Sequence, residues 1–100
     1  MEVNINKTED KTIINIIGRL DTPNSSIFEK QTNPVLDSDM KNVIIDCKSL
    51  EYICSSGLRL FLSMQKAANA KKGLITIINM NEEIKSVFDM TGFTSLFNIQ

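Results

Sequence analysis

The stretch "YICSSGLRLFL" at residues 52–62 places a thiol, Cys54, and two hydroxyls, Ser55 and Ser56, at the mouth of an apolar run. Each is a nucleophile once something activates it. A serine normally needs a neighbouring base, and the chain has no histidine; a serine–lysine pair would also serve, but nothing in the pattern points to one. A phosphatase loop built on Cys54 and Arg59 is the sharper alternative. That chemistry generally sets five residues between its cysteine and arginine so that the loop wraps the phosphate, and here there are four. Gly57 does not belong to a nucleotide-cradling loop, because the Gly-x4-Gly-Lys pattern is missing. Cys47 and Cys54 lack the companions a metal site needs. Alone, Cys54 reads as a small buried hydrophobe. No catalytic residue, metal or cofactor is therefore assigned.

The serines stand where a loop enters a helix. The first backbone N–H groups of a helix have no internal partner, and the dipole adds partial positive charge there. Such a start tolerates a phosphate. It also wants a capping hydroxyl, worth about 1 kcal/mol. The two uses are compatible, because there are two hydroxyls and one cap. Asp21 and Asp46 are the other residues of interest. Asp21 is able to cap the preceding helix in place of Thr22, Asp46 to close a turn, and the two together with Ser55 to ring one end of a sheet.

The elements that must position these groups follow from pattern. "VNIN" (3–6) alternates as a strand with one wet face does, and "KTIINIIG" (11–18) is β-branched; with the turn "TEDK" between them they read as an antiparallel hairpin. Thr22 before Pro23 is a helix start. Ile27, Phe28, Val35 and Leu36 can share a face of that helix. Pro34 removes a hydrogen bond and disfavours helix at Asn33, which predicts a kink or two short helices. "NVIIDC" (42–47) reads as a buried strand. Residues 56–73 carry Leu58, Phe61, Leu62, Gln65 and Ala68 at helical spacing, and Gly73 after Lys71 and Lys72 reads as the stop. "LITIINM" (74–80) is a strand. Asn81 caps a helix over 81–92 with Glu82 and Glu83 in its first turn. "LFNI" (96–99) supplies a final short strand. The fold class is α/β in the order β-β-α-β-α-β-α: a mixed, mostly parallel sheet of four to five strands with three to four helices. Functional groups in such sheets gather beyond the carboxyl ends of the strands. Three loops fall there: 18–22, 51–57 and 80–82.

Composition narrows the class. A chain of 100 residues supports one core, so a single domain over 1–100 is expected. Its 42% hydrophobic content and formal net charge of −1 belong to a folded domain, not a disordered one. Acidic and basic residues are interleaved, which argues against a nucleic-acid or anionic-membrane surface. "MEVNINKTED" has polar residues where a secretory signal needs an apolar stretch, and no apolar run approaches the roughly 20 residues of a membrane span. Two cysteines are too few for a disulfide framework. The expectation is a cytoplasmic protein with reduced thiols and no membrane insertion.

Taken together, "GRLDT" (18–22), "NVIIDCKSLEYICSSGLRLFL" (42–62) and "KKGLITIINMNEEIKSVFDMTGF" (71–93) resemble the STAS domain, and within it the bacterial anti-sigma factor antagonists. The family pattern runs Gly-x-Leu-Asp after the second strand, Asp-Ser-[Ser/Thr]-Gly-[Leu/Ile] into the second helix, and [Met/Leu]-[Ser/Thr]-Gly-[Leu/Phe] near the end. Gly18–Asp21, Cys54–Leu58 and Met90–Phe93 occupy those places, with Cys54 where the family has aspartate. The resemblance implies a non-catalytic phospho-switch. Its phosphoacceptor position is Ser55, with Ser56 the alternative that hydroxyl chemistry leaves open. Its partners would be an anti-sigma factor that is also an ATP-dependent serine kinase, and a cognate phosphatase. The unphosphorylated form binds the anti-sigma factor and frees a sigma factor for transcription; the phosphorylated form is released. The docking surface implied comprises Asp21, Thr22, Cys54, Ser55, Ser56, Gly57, Leu58, Arg59 and Asn81. A docking subunit of a transport or other signalling assembly, without phosphorylation, is the alternative the same fold allows.

Overall fold

The computed structural model describes residues 1–39 and 41–100. The chain runs β1 (Glu2–Lys7), β2 (Thr12–Leu20), α1 (Thr22–Leu36), β3 (Asn42–Asp46), β4 (Leu50–Ile53), α2 (Ser55–Ala70), β5 (Leu74–Ile78), α3 (Glu82–Thr91), a 3-10 turn (Phe93–Leu96) and β6 (Asn98–Ile99). The sheet order is β1-β2-β3-β5-β6, with β4 paired to β2. Among the described residues β1–β2 is the antiparallel pair and the other pairs are parallel. The α/β order expected from pattern is the one formed, and the final strand is present. The sheet has six strands because Leu50–Ile53, taken as loop from sequence, forms β4.

One sheet face supplies the core. Ile14, Ile16, Val43, Ile45, Ile75 and Ile77 are buried on it, while the alternating residues Ile13, Asn15, Ile44, Asp46, Thr76 and Ile78 are half-buried. Phe28 of α1 meets Phe61 of α2, Phe61 meets Phe88 of α3, and Phe88 meets Phe97, with ring centroids 5.8–6.2 Å apart. This row ties all three helices to the same side of the sheet; burial of each ring contributes about 1.5–3 kcal/mol.

Helix α1 is continuous over 15 residues despite Pro34. The proline lies in the last turn, where one missing bond interrupts little. The helix end is held from outside: the Lys71 ammonium donates to the carbonyls of Leu36 and Ser38, so its charge sits at the negative end of α1 rather than of its own helix. The buried face of α1 is Ser25, Phe28, Thr32 and Val35, whereas Ile27 is 49% exposed and Leu36 half-buried. At the end of α2 the left-handed residue is Lys72, φ 60°, not Gly73. Gly73 is required by a close approach: a Cβ there would lie 2.2 Å from the Lys41 carbonyl oxygen.

Candidate functional site

Strand β2 is long enough to serve two partners. Its first half pairs with β3 and its last residues with β4, the register shifting at Gly18/Arg19. Gly18, at φ 97°, makes that bulge accessible. β2 and β4 then end together: Leu20 is in register with Ile53, and the Cys54 N–H donates to the Leu20 carbonyl at 3.0 Å. From each strand the chain turns straight into a helix. Asp21 is the N-cap of α1 and Cys54 the N-cap of α2, both with extended backbone. Two helix N-termini with their unpaired N–H groups therefore start side by side.

Asp21 Oδ1 accepts from the Asn24 N–H at 3.1 Å, so Asp21, and not Thr22, caps α1. Neither serine caps α2, contrary to expectation. Ser55 and Ser56 are the first two helical residues, one step past the cap position. Gly57 seats α2 on the ends of β2 and β4, where a Cβ would lie 2.9 Å from Leu20 Cγ and 3.0 Å from Ile53 Cγ1. Leu58 is buried in the core. Gly57 and Leu58 thus lie beneath the surface they were expected to form.

The two hydroxyls differ in environment. Ser55 is exposed, and its side chain makes no hydrogen bond among the described residues. Ser56 is half-buried; its Oγ lies 2.9 Å from Ser25 Oγ and 3.0 Å from Cys54 Sγ. Ser25 Oγ donates in turn to the Asp21 carbonyl at 2.9 Å and lies 3.6 Å from Cys54 Sγ. Burial works against ionisation of Cys54. The Ser56 hydroxyl, the Gly57 N–H and the Ser25 and Thr22 hydroxyls outweigh it and bring the thiol down to about 7. A thiol at a helix start among donors behaves this way. Cys47 is the opposite case: burial first, then the nearby Asp46 charge, pushes it up to about 12.

Thr22, Ser25, Ser56 and Arg59 line a shallow groove of about 330 Å³ between α1 and α2, with Ser26, Glu29 and Leu60. Asn81 stands apart. It caps α3 by accepting from the Ile84 N–H at 2.8 Å, and its amide donates to the Leu50 carbonyl at 3.2 Å, which ties α3 to β4. It borders a second depression with Arg19, Glu51, Glu82 and Glu83. Asp46 does close a turn, accepting from the Lys48 N–H at 3.0 Å, and also takes the Asn79 amide at 3.1 Å; those bonds engage it away from the serines. Sequence reasoning missed Ser25, whose only signal was its place four residues past the Asp21 cap on the stripe of Phe28. It also missed Arg19 lying 4.3 Å from the centre of the Tyr52 ring, a cation–π contact.

The family model for the STAS domain matches residues 2–100. The chain belongs to the STAS domain family. It is 26% identical over 101 residues to the anti-sigma-B factor antagonist of Staphylococcus aureus, covering 99% of this chain and 94% of that protein. It is 23% identical over 99 residues to the anti-sigma-B factor antagonist of Bacillus subtilis, covering 99% and 90%. Among solved structures, this STAS domain resembles the anti-sigma factor antagonist SpoIIAA in its unphosphorylated form (TM-score 0.78, 17% identity, covering 99% and 87%). The match to the phosphorylated form of the Bacillus SpoIIAA has TM-score 0.77 and 18% identity, covering 99% and 91%. Among the described residues, no helix of this STAS domain is long and apolar enough to cross a membrane, and no cluster of His, Cys, Asp or Glu could hold a metal ion.

Proposed function

We propose that this STAS domain is an anti-sigma factor antagonist that acts as a non-catalytic phospho-switch, with Ser55 as the phosphoacceptor. The observation that carries this reading is the contrast between the adjacent hydroxyls. Ser55 is exposed and unengaged at a helix start; Ser56 is half-buried and held on both sides. Relatives named as anti-sigma-B factor antagonists, matched over 99% of this chain, supply the partner class. The partner is an anti-sigma factor that is also an ATP-dependent serine kinase, and a separate phosphatase resets the switch.

Phosphoryl transfer forms the bond between Ser55 Oγ and the γ-phosphorus of ATP, breaks the bond to the β,γ-bridging oxygen and releases ADP. The Ser55 proton goes to a base on the kinase, which also brings the magnesium. The product carries about −1.5 to −2 charges. The start of α2, with no acidic residue in its first turn, can hold that anion locally. Arg59 stands four residues on, one helical turn away on the same side. A docked partner would instead have to desolvate the dianion. A penalty of about 4 kcal/mol weakens binding roughly a thousandfold, enough for an on/off signal without rearrangement of this domain. Asp21, Thr22, Cys54, Ser56 and Arg59 flank or approach the acceptor and form the docking surface in this reading, while Asn81 lies apart at the start of α3.

The test is phosphopeptide mass spectrometry on protein from its native cell, combined with co-precipitation of the anti-sigma factor by wild type, Ser55→Ala and Ser55→Asp. Phosphate on Ser55, with binding kept by Ser55→Ala and lost by Ser55→Asp, is the expected result. A Ser55 that stays unmodified under every growth condition overturns the switch and leaves a docking subunit.

A further inference from the structure

Ser25 lies on the buried face of α1, 7% exposed, and its hydroxyl spans the gap between the two helix starts. Each hydroxyl has one proton to give. That of Ser25 goes to the Asp21 carbonyl. At the 2.9 Å contact between the two serines, Ser25 must therefore accept, and the Ser56 proton is the one donated. Cys54 Sγ lies 3.0 Å from Ser56 Oγ on the other side; the neutral thiol donates to that oxygen, and the thiolate accepts a hydroxyl proton instead. In either state of the thiol Ser56 Oγ is held between Ser25 and Cys54, and with the thiol neutral the result is one directed chain, Cys54 to Ser56 to Ser25 to the Asp21 carbonyl. It fixes the Ser56 rotamer toward α1 and commits its proton internally. Ser55, one residue earlier on the same helix, has no such engagement among the described residues.

We infer that Ser25 is a positioning residue that decides which of two adjacent hydroxyls is phosphorylated, by withholding Ser56 from the kinase. The inference rests on the phospho-switch reading and adds to it the source of its site selectivity. A kinase base that approaches the start of α2 meets a free proton on Ser55 and a proton on Ser56 already donated. To use Ser56, the hydroxyl must break its bond to Ser25 and rotate out of its half-buried position. Removing the Ser25 hydroxyl leaves Ser56 with Cys54 as its one remaining partner and leaves both serines in the helix.

The experiment expresses wild type, Ser25→Ala, Ser25→Thr and Phe28→Leu in the native cell and measures phosphate on the tryptic peptide covering residues 49–59, which holds both serines. Fragment ions assign the phosphate to Ser55 or Ser56. Loss of one such bond predicts a rise of about fivefold in the Ser56:Ser55 ratio for Ser25→Ala. Ser25→Thr, which keeps a hydroxyl, restores the wild-type ratio. Phe28→Leu lowers the melting temperature without moving the ratio, which separates positioning from loss of stability. An unchanged ratio in folded Ser25→Ala overturns the inference, as does wild-type protein that carries its phosphate on Ser56. If neither serine is modified in wild type, the phospho-switch reading fails on its own. The positioning claim is then decided by the Ser56 χ1 angle from three-bond NMR couplings. One rotamer in wild type and averaging in Ser25→Ala uphold it; averaging in both sinks it.

Discussion

Aspartate placed at Ser55 and at Ser56 should move stability in opposite directions, although the two positions are neighbours on one helix. Ser55 is exposed in the first turn of α2, which carries no acidic residue. A carboxylate there interacts with the positive helix end for about 0.3–1 kcal/mol at low ionic strength. For a domain of this size 1 kcal/mol shifts the melting temperature by about 4–8 °C, so Ser55→Asp should melt about 1–8 °C higher. The like charge of Asp21 trims this, but the Asp21 carboxylate is turned onto the Asn24 N–H of its own helix. Ser56→Asp has the same dipole term and a larger opposing one. It removes the hydroxyl between Ser25 and Cys54 and sets a charge in a half-buried place. Stranding those partners costs about 1–3 kcal/mol, which outweighs the dipole gain and lowers the melting temperature by several degrees. The assay is thermal unfolding by circular dichroism near pH 6, where Cys54, with its pKa of about 7, is mostly neutral. Repeating it at about 1 M salt, where the screening length is about 3 Å, should erase most of the Ser55→Asp gain and little of the Ser56→Asp loss. A Ser55→Asp protein that melts below wild type, or a Ser56→Asp protein that melts as high as Ser55→Asp, refutes the claim that one helix start presents one anion-tolerant hydroxyl and one engaged hydroxyl.

The thiols should separate cleanly by pH: in the folded protein Cys54 is alkylated by iodoacetamide with a half-maximal rate near pH 7, and Cys47, held at about 12, reacts only after denaturation. The same values set stability. The Cys54 pKa lies below its ordinary 9.0, so its ionisation stabilises the fold fully above pH 9 and that contribution is lost as pH falls through 7. The Cys47 pKa lies above 9.0, so only the unfolded chain ionises as pH climbs from 9 toward 12, and Cys47 then favours unfolding; pH-dependent melting of Cys47→Ala and Cys54→Ala against wild type checks both signs. Gly73→Ala would stabilise by about 0.4–1 kcal/mol if the backbone had room, through the unfolded state. Here the new Cβ would lie 2.2 Å from the Lys41 carbonyl oxygen, a backbone atom with no side-chain freedom to retreat. A loss of about 1–3 kcal/mol is expected in urea unfolding, and an alanine variant as stable as wild type would show that the turn after α2 does not meet the Lys41 backbone ahead of β3.

Local physics was written plainly in the chain. The strands read at 3–6 and 74–80, the helix stripe of Leu58, Phe61, Leu62, Gln65 and Ala68, and the Asn81 cap depend on spacings of two to four residues; the strands formed as Glu2–Lys7 and Leu74–Ile78, and the stripe formed with Leu62 and Gln65 half-buried at its edge. Asp21 was legible as a cap because a cap needs only its own helix. Strand β4 was not legible. "LEYI" has four residues, too few to declare a period, and becomes a strand because the far end of β2 extends past β3 and offers it a ladder. The site follows from that pairing. With β4 beside β2, the helices that leave them start together, and Ser25 reaches Ser56 across 31 residues of sequence. Ile27 shows the same division, since its spacing fitted the core stripe and only packing on α2 turned Ser25 inward and Ile27 to solvent. The sequence by itself determined the order of the elements other than β4, the caps of α1 and α3, and two hydroxyls at a helix entrance, because each is set by neighbours within about one helical turn. Which hydroxyl stands free and which is held was decided by the tertiary structure, because the atom that holds Ser56 belongs to another helix, brought near only when the sheet pairs.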